Sequence, residues 1–370
     1  MTNTLRMQVL VGTRLARGQI RTALRNPLER LVDERKRMTA LVREDGMERA
    51  TAAIAGTDPD RQAGDMRVRA GGPAKRVGGQ LTTRPHADAV QDEVLIHTGR
   101  VEGEQPGHAV DVPLPAGRMT PGVVRRGGQS LRPMGSWSGA VHEYLRHLES
   151  VGFDAAPRLL GTDGRREILT FVEGDVPVDP QWTPGRGSRL PSYARSDTSL
   201  VAAARLLRRL HEAARRFQPV NTEYRFHPHP PRPGEIVSHG DLGPWNTVYR
   251  GGVPAAFIDW DCAGPVEPVV DFAAAAWEFV PLAPPEVLRQ SGFDPVPNIA
   301  VRLRLFADAY GIGDRRTVVP ALQHTRLLTA DRIKYAPLTP AEAAENLEFR
   351  AQELRWLHAM VTLLDSELAS

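Results

Sequence analysis

Residues 237–261 read VSHGDLGPWNTVYRGGVPAAFIDWD, and they are the most informative segment of the chain. Two of its segments, residues 247–250 and 255–260, are strand-like, and they flank Gly251-Gly252. A glycine pair between two such segments is typical of a tight turn that joins antiparallel strands. The stretch therefore predicts a β-hairpin that follows directly on a short polar loop.

The predicted hairpin brings oxygen-bearing side chains together. It returns Asp259 to the neighbourhood of Asn246, so that a carboxylate and an amide oxygen converge on one point. Mg²⁺ prefers oxygen ligands and usually arrives with substrate phosphates. Asp241, in the preceding loop, could then face a hydroxyl nucleophile on the far side of the metal. Positioning an acceptor, holding a metal and spreading charge are the tasks of phosphoryl transfer.

The same residues carry a family resemblance. The motif HGD at residues 239–241, Asn246 and the motif IDWD at residues 258–261 together resemble the signature of the aminoglycoside phosphotransferase and choline kinase group, relatives of the protein kinases. The resemblance covers roughly residues 120–365. Within the group, the motifs VHEYLRHL and HGDLGPWN look most like a bacterial branch of which some members are grouped with trifolitoxin immunity.

The resemblance implies a role for each residue of the motif. Asp241 is the catalytic residue that orients the acceptor hydroxyl, and Asn246 and Asp259 are the Mg²⁺ ligands. His239 supports the loop rather than moving a proton, and Asp271 braces it. For Asp261 the sequence leaves two interpretations open, a supporting residue or a solvated turn acid.

The usual phosphate anchor is missing from the sequence. Kinases pair a strand lysine with a helix glutamate, but residues 76–333 contain no lysine. Arg132 is the predicted substitute, because a guanidinium binds phosphate through two nitrogens. Arg125 on the partner strand is the alternative, and a solvated hairpin arginine is the third interpretation. The expected helix glutamate falls near Val141, which cannot pair, while Glu143 is placed on another face.

The segment ILTFVEG at residues 168–174 predicts a strand followed by a small residue. By the resemblance this is the hinge between lobes, where the backbone of Phe171 and Val172 would bind the adenine of ATP. GTP is the alternative nucleotide, and a plain edge strand with a glycine turn is the alternative structure.

The order of the predicted elements gives the fold class. A hairpin over residues 122–132, a helix over 141–151 and two strands up to residue 172 precede a helix over 197–217 and a mostly helical remainder. Asp197 is the predicted cap of the second helix. The predicted buried faces are Val141, Tyr144, Leu145 and Leu148 in the first helix and Leu200, Ala203, Leu206, Leu207 and Leu210 in the second. Strands first and helices after indicate an α+β protein. With the resemblance, this predicts a two-lobed protein-kinase-like fold with a reduced N-lobe and a mainly helical C-lobe.

The domain boundaries follow from composition. All 10 Phe, 6 Trp and 6 Tyr lie at or after Trp137, and aromatic side chains supply much of a core's buried area. Residues 1–115 are therefore predicted to be a disordered extension with one helix after Asn26-Pro27, which is either isolated or a docking helix. Residues 116–175 form the predicted N-lobe and residues 176–370 the C-lobe.

Composition excludes some classes of protein. The 47 Lys and Arg nearly balance the 44 Asp and Glu, and no basic stripe interleaves with aromatics, so nucleic acid is not an expected partner. No run of residues is long and apolar enough to span a membrane, and the N-terminus lacks the apolar stretch of a signal peptide. Cys262, the single cysteine, suits a reducing compartment. We expect a cytoplasmic protein, and the sequence makes no prediction of oligomeric state.

The sequence predicts an ATP-dependent phosphotransferase that moves the γ-phosphoryl group to a hydroxyl of a small molecule, with Mg²⁺ as cofactor. The acceptor cannot be read from the residues. The alternative is a non-catalytic kinase-like binding or immunity protein, which the missing Lys–Glu pair favours and the intact Asp241, Asn246 and Asp259 oppose.

Overall fold

The computed structural model describes residues 96–97, 110–114, 120–179, 188–227, 229–333 and 338–370. Contacts along the chain divide it into one unit of residues 1–31 and 94–370 and a second unit of residues 32–93. The second unit lies outside the described residues, and so does most of the predicted extension with its helix. The prediction for that segment therefore stays a prediction, although two short strands fall inside its range.

The strands lie mainly in the first half of the described chain. They are Ile96–His97 (β1), Val112–Pro113 (β2), Val124–Arg126 (β3), Gln129–Pro133 (β4), Leu159–Thr162 (β5), Arg166–Thr170 (β6), Asp175–Val176 (β7), Ile236–Ser238 (β8), Thr247–Arg250 (β9), Val253–Phe257 (β10) and Gly264–Val266 (β11).

The helices dominate the second half. They are Ser138–Ser150 (α1), Ser192–Arg195 (α2), Asp197–Ala214 (α3), Pro268–Phe279 (α4), Pro285–Gln290 (α5), Ile299–Tyr310 (α6), Val318–Arg332 (α7) and Pro340–Ala369 (α8). Single 3₁₀ turns cover Pro244–Asn246, Trp260–Cys262 and Arg315–Thr317.

The first sheet has five antiparallel strands in the order β2-β3-β4-β6-β5. Its central hairpin turns at Gly127-Gly128, with Arg126 opposite Gln129, as the glycine pair predicts. Strand β6 then lies against β4 in a register that places Arg132 directly opposite Glu167. This register places the cationic Arg132 and the anionic Glu167 side by side on neighbouring strands.

Helix α1 forms where its apolar spacing predicts a helix, although it begins three residues earlier than expected. Val141, Tyr144, Leu145 and Leu148 are at most 2% exposed, so the predicted face is the buried one. Residues three and four apart share a helix face, and this face packs into the main core. The helix therefore covers the small sheet and ties it to the rest of the chain.

Helix α3 packs into the main core of the protein. Its predicted core face is buried throughout, at no more than 4% exposure for Leu200, Ala203, Leu206, Leu207 and Leu210. The predicted cap at Asp197 is wrong. Ser196 takes the position before the helix and accepts a hydrogen bond from the N–H of Ser199 at 3.1 Å, because it lies one residue outside the first turn, where an N-cap must be.

The second predicted hairpin is present, and it supports the loop that precedes it. Strands β9 and β10 pair around Gly251-Gly252, with Arg250 opposite Val253, in a sheet of order β1-β7-β9-β10. Strand β8, which leads into the loop, pairs with β11. A small antiparallel sheet followed by a mainly helical part confirms the predicted α+β class. No helix of the described residues is long and apolar enough to cross a membrane.

Candidate active site

The loop of residues 239–246 links β8 to β9 and is closed on itself. A 3₁₀ turn begins at Pro244, and the N–H of Asn246 donates to the Gly243 carbonyl at 3.1 Å. The Thr247 hydroxyl donates to the same carbonyl at 2.8 Å. Because two hydrogen bonds converge on the Gly243 carbonyl, the loop has little freedom to reorient its side chains.

His239 lies at the base of this loop and is 0% exposed. Its Nε2 lies 2.8 Å from the carbonyl oxygen of Ile258, and the N–H of Asp241 donates to its Nδ1 at 3.3 Å. These contacts fit a neutral ring with its proton on Nε2, and burial lowers the pKa of His239. The ring holds the loop to the hairpin and has no nitrogen left for proton transfer.

Gly240 is required by the geometry between His239 and Asp241. Its φ is +78°, in the left-handed region, and a Cβ built there would lie 2.2 Å from the carbonyl oxygen of Cys262. Glycine alone has both the freedom and the space for this approach. The close contact packs the loop against the 3₁₀ turn at Trp260–Cys262.

Asp241 and Asn246 are bonded to each other. The Asn246 side-chain nitrogen donates to the main-chain carbonyl of Asp241 at 2.8 Å and to its carboxylate at 3.0 Å. Burial raises the pKa of Asp241 to about 6, and the charge of Asp259 adds to the shift, while Arg332 and Asn246 oppose it. A carboxylate with such a pKa is a competent proton acceptor near neutral pH.

Asp259 is held close to Asn246 by the backbone. The N–H of Ile258 donates to the Asn246 carbonyl at 3.0 Å, which is the approach that the predicted hairpin implies. Asp259 has φ 64° and ψ 64°, the one positive φ of a non-glycine residue among the residues described. Backbone strain of this kind clusters at functional sites.

Asp271, on α4, lies beneath the loop. It is 4% exposed, and it accepts hydrogen bonds from Ser238 at 2.7 Å and from His211 at 2.9 Å. Burial works against its ionisation, but these hydrogen bonds outweigh it and lower the pKa of Asp271. Tyr310 contacts the other nitrogen of His211 at 2.7 Å. The network fixes Ser238, the residue before His239.

Arg132 reaches this centre from β4. Its side chain is 7% exposed, and its Nη2 lies 2.5 Å from Asp259 and 3.0 Å from Asp261, while Nη1 lies 3.4 Å from Glu167. Burial opposes the charge of Arg132, but the three carboxylates outweigh it and raise its pKa. Arg132 is thus a buried side chain beside Asp259 and Asp261 and not a solvated hairpin arginine, while its role as a phosphate anchor stays a prediction.

Glu167 is a site residue that the sequence reasoning missed. One of its carboxylate oxygens forms an ion pair with Arg132 at 3.4 Å, and the other lies 2.7 Å from Nε2 of His142. The helix glutamate of kinases therefore has no direct counterpart, and α1 reaches the arginine through His142 and Glu167. Glu143 points elsewhere, as predicted, and accepts from the N–H groups of Val220 and Asn221 at 2.8 Å.

Asp261 is buried rather than a solvated turn acid, at 4% exposure. The hydroxyl of Thr120 donates to its carboxylate. Arg225 and Arg132 both approach Oδ2 of Asp261, at 3.4 Å and 3.0 Å. The guanidinium of Arg225 also stacks over Trp137 at 4.1 Å. Of the two interpretations that the sequence leaves open for Asp261, the burial excludes the solvated turn acid.

The predicted hinge follows β6. The N–H of Phe171 donates to the Gly128 carbonyl at 2.8 Å, so this donor already has a partner. Arg125 lies 4.1 Å from the centroid of the Phe171 ring and pairs with Glu173 at 2.5 Å. Arg125 is therefore placed at the hinge and not beside Asp259. Val172 is partly buried and packs against the main core.

Arg332, the last residue of α7, was not singled out by the sequence. Its Nη1 donates to the Gly240 carbonyl at 2.5 Å, and its charge lowers the pKa of Asp241. It therefore contributes a positive charge to the loop from the end of α7.

A divalent cation fits the donors of this site. Asp241 and Asp259 lie close enough for one charge to raise the pKa of the other, and Asn246 adds an amide. Within the described residues, no cluster of three or more His, Cys, Asp or Glu has metal-site geometry. A site with few protein ligands, all of them oxygen, suits Mg²⁺, which keeps several waters.

Comparison with known proteins agrees with these features. A family model described as a phosphotransferase enzyme family matches residues 222–295, which include the loop and the hairpin. The trifolitoxin immunity protein of Rhizobium leguminosarum bv. trifolii is 34% identical over 261 residues, covering 67% of this chain and 94% of that protein.

Two solved structures resemble the chain more distantly. Amicoumacin kinase in complex with AMP-PNP, Ca²⁺ and Ami has a TM-score of 0.45 and 14% identity, covering 68% of this chain and 89% of that one. Macrolide 2′-phosphotransferase from Brachybacterium faecium has a TM-score of 0.39 and 14% identity, covering 66% and 92%. At these TM-scores neither structure carries any part of the assignment.

A sheet-then-helix fold that holds the HGD, Asn and IDWD residues around one loop defines a protein of the kinase-like phosphotransferase class. The chain belongs to the phosphotransferase family, in the branch that it shares with the trifolitoxin immunity protein. The resemblance drawn from the motifs is confirmed.

Proposed function

We propose that this protein transfers the γ-phosphoryl group of ATP, or of GTP, to a hydroxyl of a small molecule. One observation carries the proposal, the paired Asp241 and Asn246 with the pKa of Asp241 raised to about 6. At neutral pH such a group is mostly ionised yet still basic enough to accept a proton as the hydroxyl attacks.

Asp241 is the proposed catalytic residue. Its carboxylate orients the acceptor hydroxyl and takes its proton, and Asn246 holds the carboxylate in place through the bond at 3.0 Å. Most of the rate in phosphoryl transfer comes from positioning and charge stabilisation. The rigid loop, closed by Gly243 and His239, supplies the positioning.

Asn246 and Asp259 are the proposed Mg²⁺ ligands. When bound, Mg²⁺ would neutralise charge on the phosphate oxygens. The strained backbone of Asp259 supports this assignment, because strain of this kind clusters at functional sites and the carboxylate that it carries is 38% exposed and so accessible to a cation. Asp271 and His239 hold this loop and hairpin together and are proposed to touch no substrate.

Arg132 is the proposed phosphate anchor, since it is the arginine whose side chain reaches Asp259. Phe171 and Val172 are proposed to flank the adenine. Because the Phe171 N–H is bonded to Gly128, the main-chain carbonyl of Phe171 and the N–H of Val172 are the hinge groups proposed for the base.

A second candidate function is a nucleotide-binding protein without turnover that provides immunity. Two observations favour it: Arg132 is engaged by three carboxylates, and a relative over two thirds of the chain is named for immunity to a toxin. Immunity itself is also compatible with turnover, if the acceptor hydroxyl belongs to a toxin or antibiotic, so only a transfer assay separates the two functions.

The test begins with thermal shift in ATP and GTP, with and without Mg²⁺, because a bound ligand raises apparent stability. Phosphate release and transfer to a panel of hydroxylated antibiotics and metabolites follow, for the parent protein, Asp241→Asn and the surface control Asp163→Asn. We expect turnover in the parent and the control and its loss in Asp241→Asn, with nucleotide affinity within a few-fold. Nucleotide binding with no transfer to any compound would favour the second function.

A further inference from the structure

Arg132 contacts three carboxylates that differ sharply in exposure. Glu167 and Asp261 are 3% and 6% exposed at the side chain, whereas Asp259 is 38% exposed. A buried carboxylate cannot replace a lost cation with water, so losing the contact with Arg132 would be costly for Glu167 and Asp261. A half-exposed carboxylate can be hydrated instead. Of the three partners, Asp259 is therefore the one that can release Arg132.

The two buried carboxylates are themselves held in place. Glu167 lies opposite Arg132 in the β4–β6 register, and its second oxygen is 2.7 Å from Nε2 of His142. Its position is thus fixed by the sheet on one side and by α1 on the other. A change at Glu167 would free the arginine without altering any group proposed to contact nucleotide.

Asp261 is fixed from different elements. Thr120 donates a hydrogen bond to its carboxylate, and Arg225 lies 3.4 Å from the oxygen that Arg132 also approaches. The contacts of Asp261 come from the segment between β2 and β3 and from the segment between α3 and β8. The two buried carboxylates consequently hold Arg132 through different nitrogens, Glu167 through Nη1 and Asp261 through Nη2.

We propose that Glu167 and Asp261 are positioning residues of the phosphate site. They keep the Arg132 guanidinium in place when Asp259, a proposed Mg²⁺ ligand, releases it. The inference rests on the proposed function, because it needs a nucleotide phosphate as the incoming partner of Arg132. An arginine that is already ordered loses less conformational freedom when it binds phosphate, and binding is correspondingly tighter.

Loss of positioning and loss of negative charge would change the affinity for ATP in opposite directions. Glu167→Ala and Asp261→Ala each remove a negative charge near the site, and by electrostatics alone ATP would bind more tightly. If these residues position Arg132, the same changes leave a mobile arginine and ATP binds more weakly. Adenosine has no phosphate, so the ratio of the adenosine and ATP dissociation constants isolates the phosphate interactions from those of the base and ribose.

The experiment measures both dissociation constants by calorimetry at fixed Mg²⁺ for the parent, Glu167→Ala, Glu167→Gln, Asp261→Ala and Asp261→Asn. Glu212→Ala is the matched control, because Glu212 also pairs with an arginine but on the surface of α3. We expect each alanine variant to lose about three- to tenfold in preference for ATP, the cost of ordering one long side chain. The amide variants, which retain an acceptor for Arg132, should stay within about twofold of the parent, by the same reasoning.

An unchanged or increased preference for ATP in the alanine variants would overturn the positioning roles. If the alanine variants do not fold, the amide variants decide, because a rise in ATP preference there would show that only charge matters. A merely structural role would lower the melting temperature and leave the ratio alone. A parent protein that binds adenosine and ATP equally overturns the proposed function itself, which is a different result from loss of positioning.

Discussion

The side-chain amide of Asn246 donates to both the main-chain carbonyl and the carboxylate of Asp241, at 2.8 and 3.0 Å. One side chain thus fixes the shape of the loop and the direction of the acid. Because hydrogen bonding to an ionised carboxylate favours the ionised form, the same contact also limits how far the pKa of Asp241 rises.

Asn246→Ala should therefore shift the pH dependence of turnover. Without the amide, the pKa of Asp241 rises above about 6, and the acidic limb of the pH–rate profile moves to higher pH. The loss of two hydrogen bonds should cost about 1–3 kcal/mol of stability. The measurements are the pH–rate profile and chemical denaturation.

Asn298→Ala is the control for Asn246→Ala, because the Asn298 side chain likewise makes two hydrogen bonds. It accepts them from two backbone N–H groups at the start of α6. It should destabilise the protein by about 1 kcal/mol as a lost helix cap and leave the pH profile in place. A profile that moves equally in both variants would mean that stability, and not the Asn246 contact, sets the titration.

Asp241→Asn should stabilise the protein at high pH while it abolishes turnover. The pKa of Asp241 is raised from 3.8 to about 6, so the folded state holds this proton more tightly than the unfolded chain. Stability is consequently lost as pH rises from about 4 to about 6, and an uncharged Asn avoids that loss. The gain at pH 8 should approach 2–3 kcal/mol, roughly 1.4 per pKa unit.

Urea denaturation of both proteins at pH 8 and pH 4.5 tests this. The difference in the free energy of unfolding should shrink at the lower pH, where Asp241 in the parent is mostly protonated. Asp163→Asn, which removes an exposed carboxylate that pairs with Arg166, should show no gain at pH 8. A gain that is independent of pH would contradict the assignment.

Asp271→Ala should destabilise the protein strongly. The change leaves His211 and Ser238 without their shared acceptor in the core, and breaking a buried network of this kind costs about 3–5 kcal/mol. Since the pKa of Asp271 is lowered, its contribution is complete above the ordinary value of 3.8 and fades as pH falls below it. Denaturation at pH 7 and pH 3 measures both effects.

Asp308→Ala is the control, because Asp308 pairs with Arg315 while 45% exposed. Exposed ion pairs contribute about 0–1 kcal/mol, so the control should differ little from the parent at either pH. A comparable loss in the two variants would remove the bracing role proposed for Asp271.

Much of the fold could be predicted because its elements follow from local patterns. The buried face of α1 and the turn at Gly127-Gly128 depend on residues a few positions apart. The cap of α3 could not be resolved in the same way, since Ser196 and Asp197 both suit an N-cap. Only the position of the first turn decides between them.

The site was predictable where one short stretch contains it. Asp241, Asn246 and Asp259 lie on one loop and one hairpin, so their approach follows from chain geometry. The partners of Arg132 could not be predicted, because Glu167 meets it through strand register and Asp261 through packing of distant segments. Ion pairs across such separations leave no spacing in the sequence to read.

Asp259 combines a strained backbone with a carboxylate, and substitution can separate the two. Its φ of 64° costs a residue with a Cβ about 1–2 kcal/mol, and glycine nothing. Asp259→Gly should therefore be more stable than Asp259→Ala by about 1 kcal/mol. Both variants lack the carboxylate, so both should lose the effect of Mg²⁺ on ATP affinity to the same extent.

Calorimetry of ATP binding with and without Mg²⁺, together with urea denaturation, gives both readings for the parent and the pair of variants. Without Mg²⁺, both variants should bind ATP more tightly than the parent, because Arg132 no longer has Asp259 as a competing partner at 2.5 Å. In an Arg132→Met background this gain should vanish, whereas simple repulsion between Asp259 and phosphate would survive it. Persistence of the gain in that background would show that Asp259 acts on the nucleotide directly and not through Arg132.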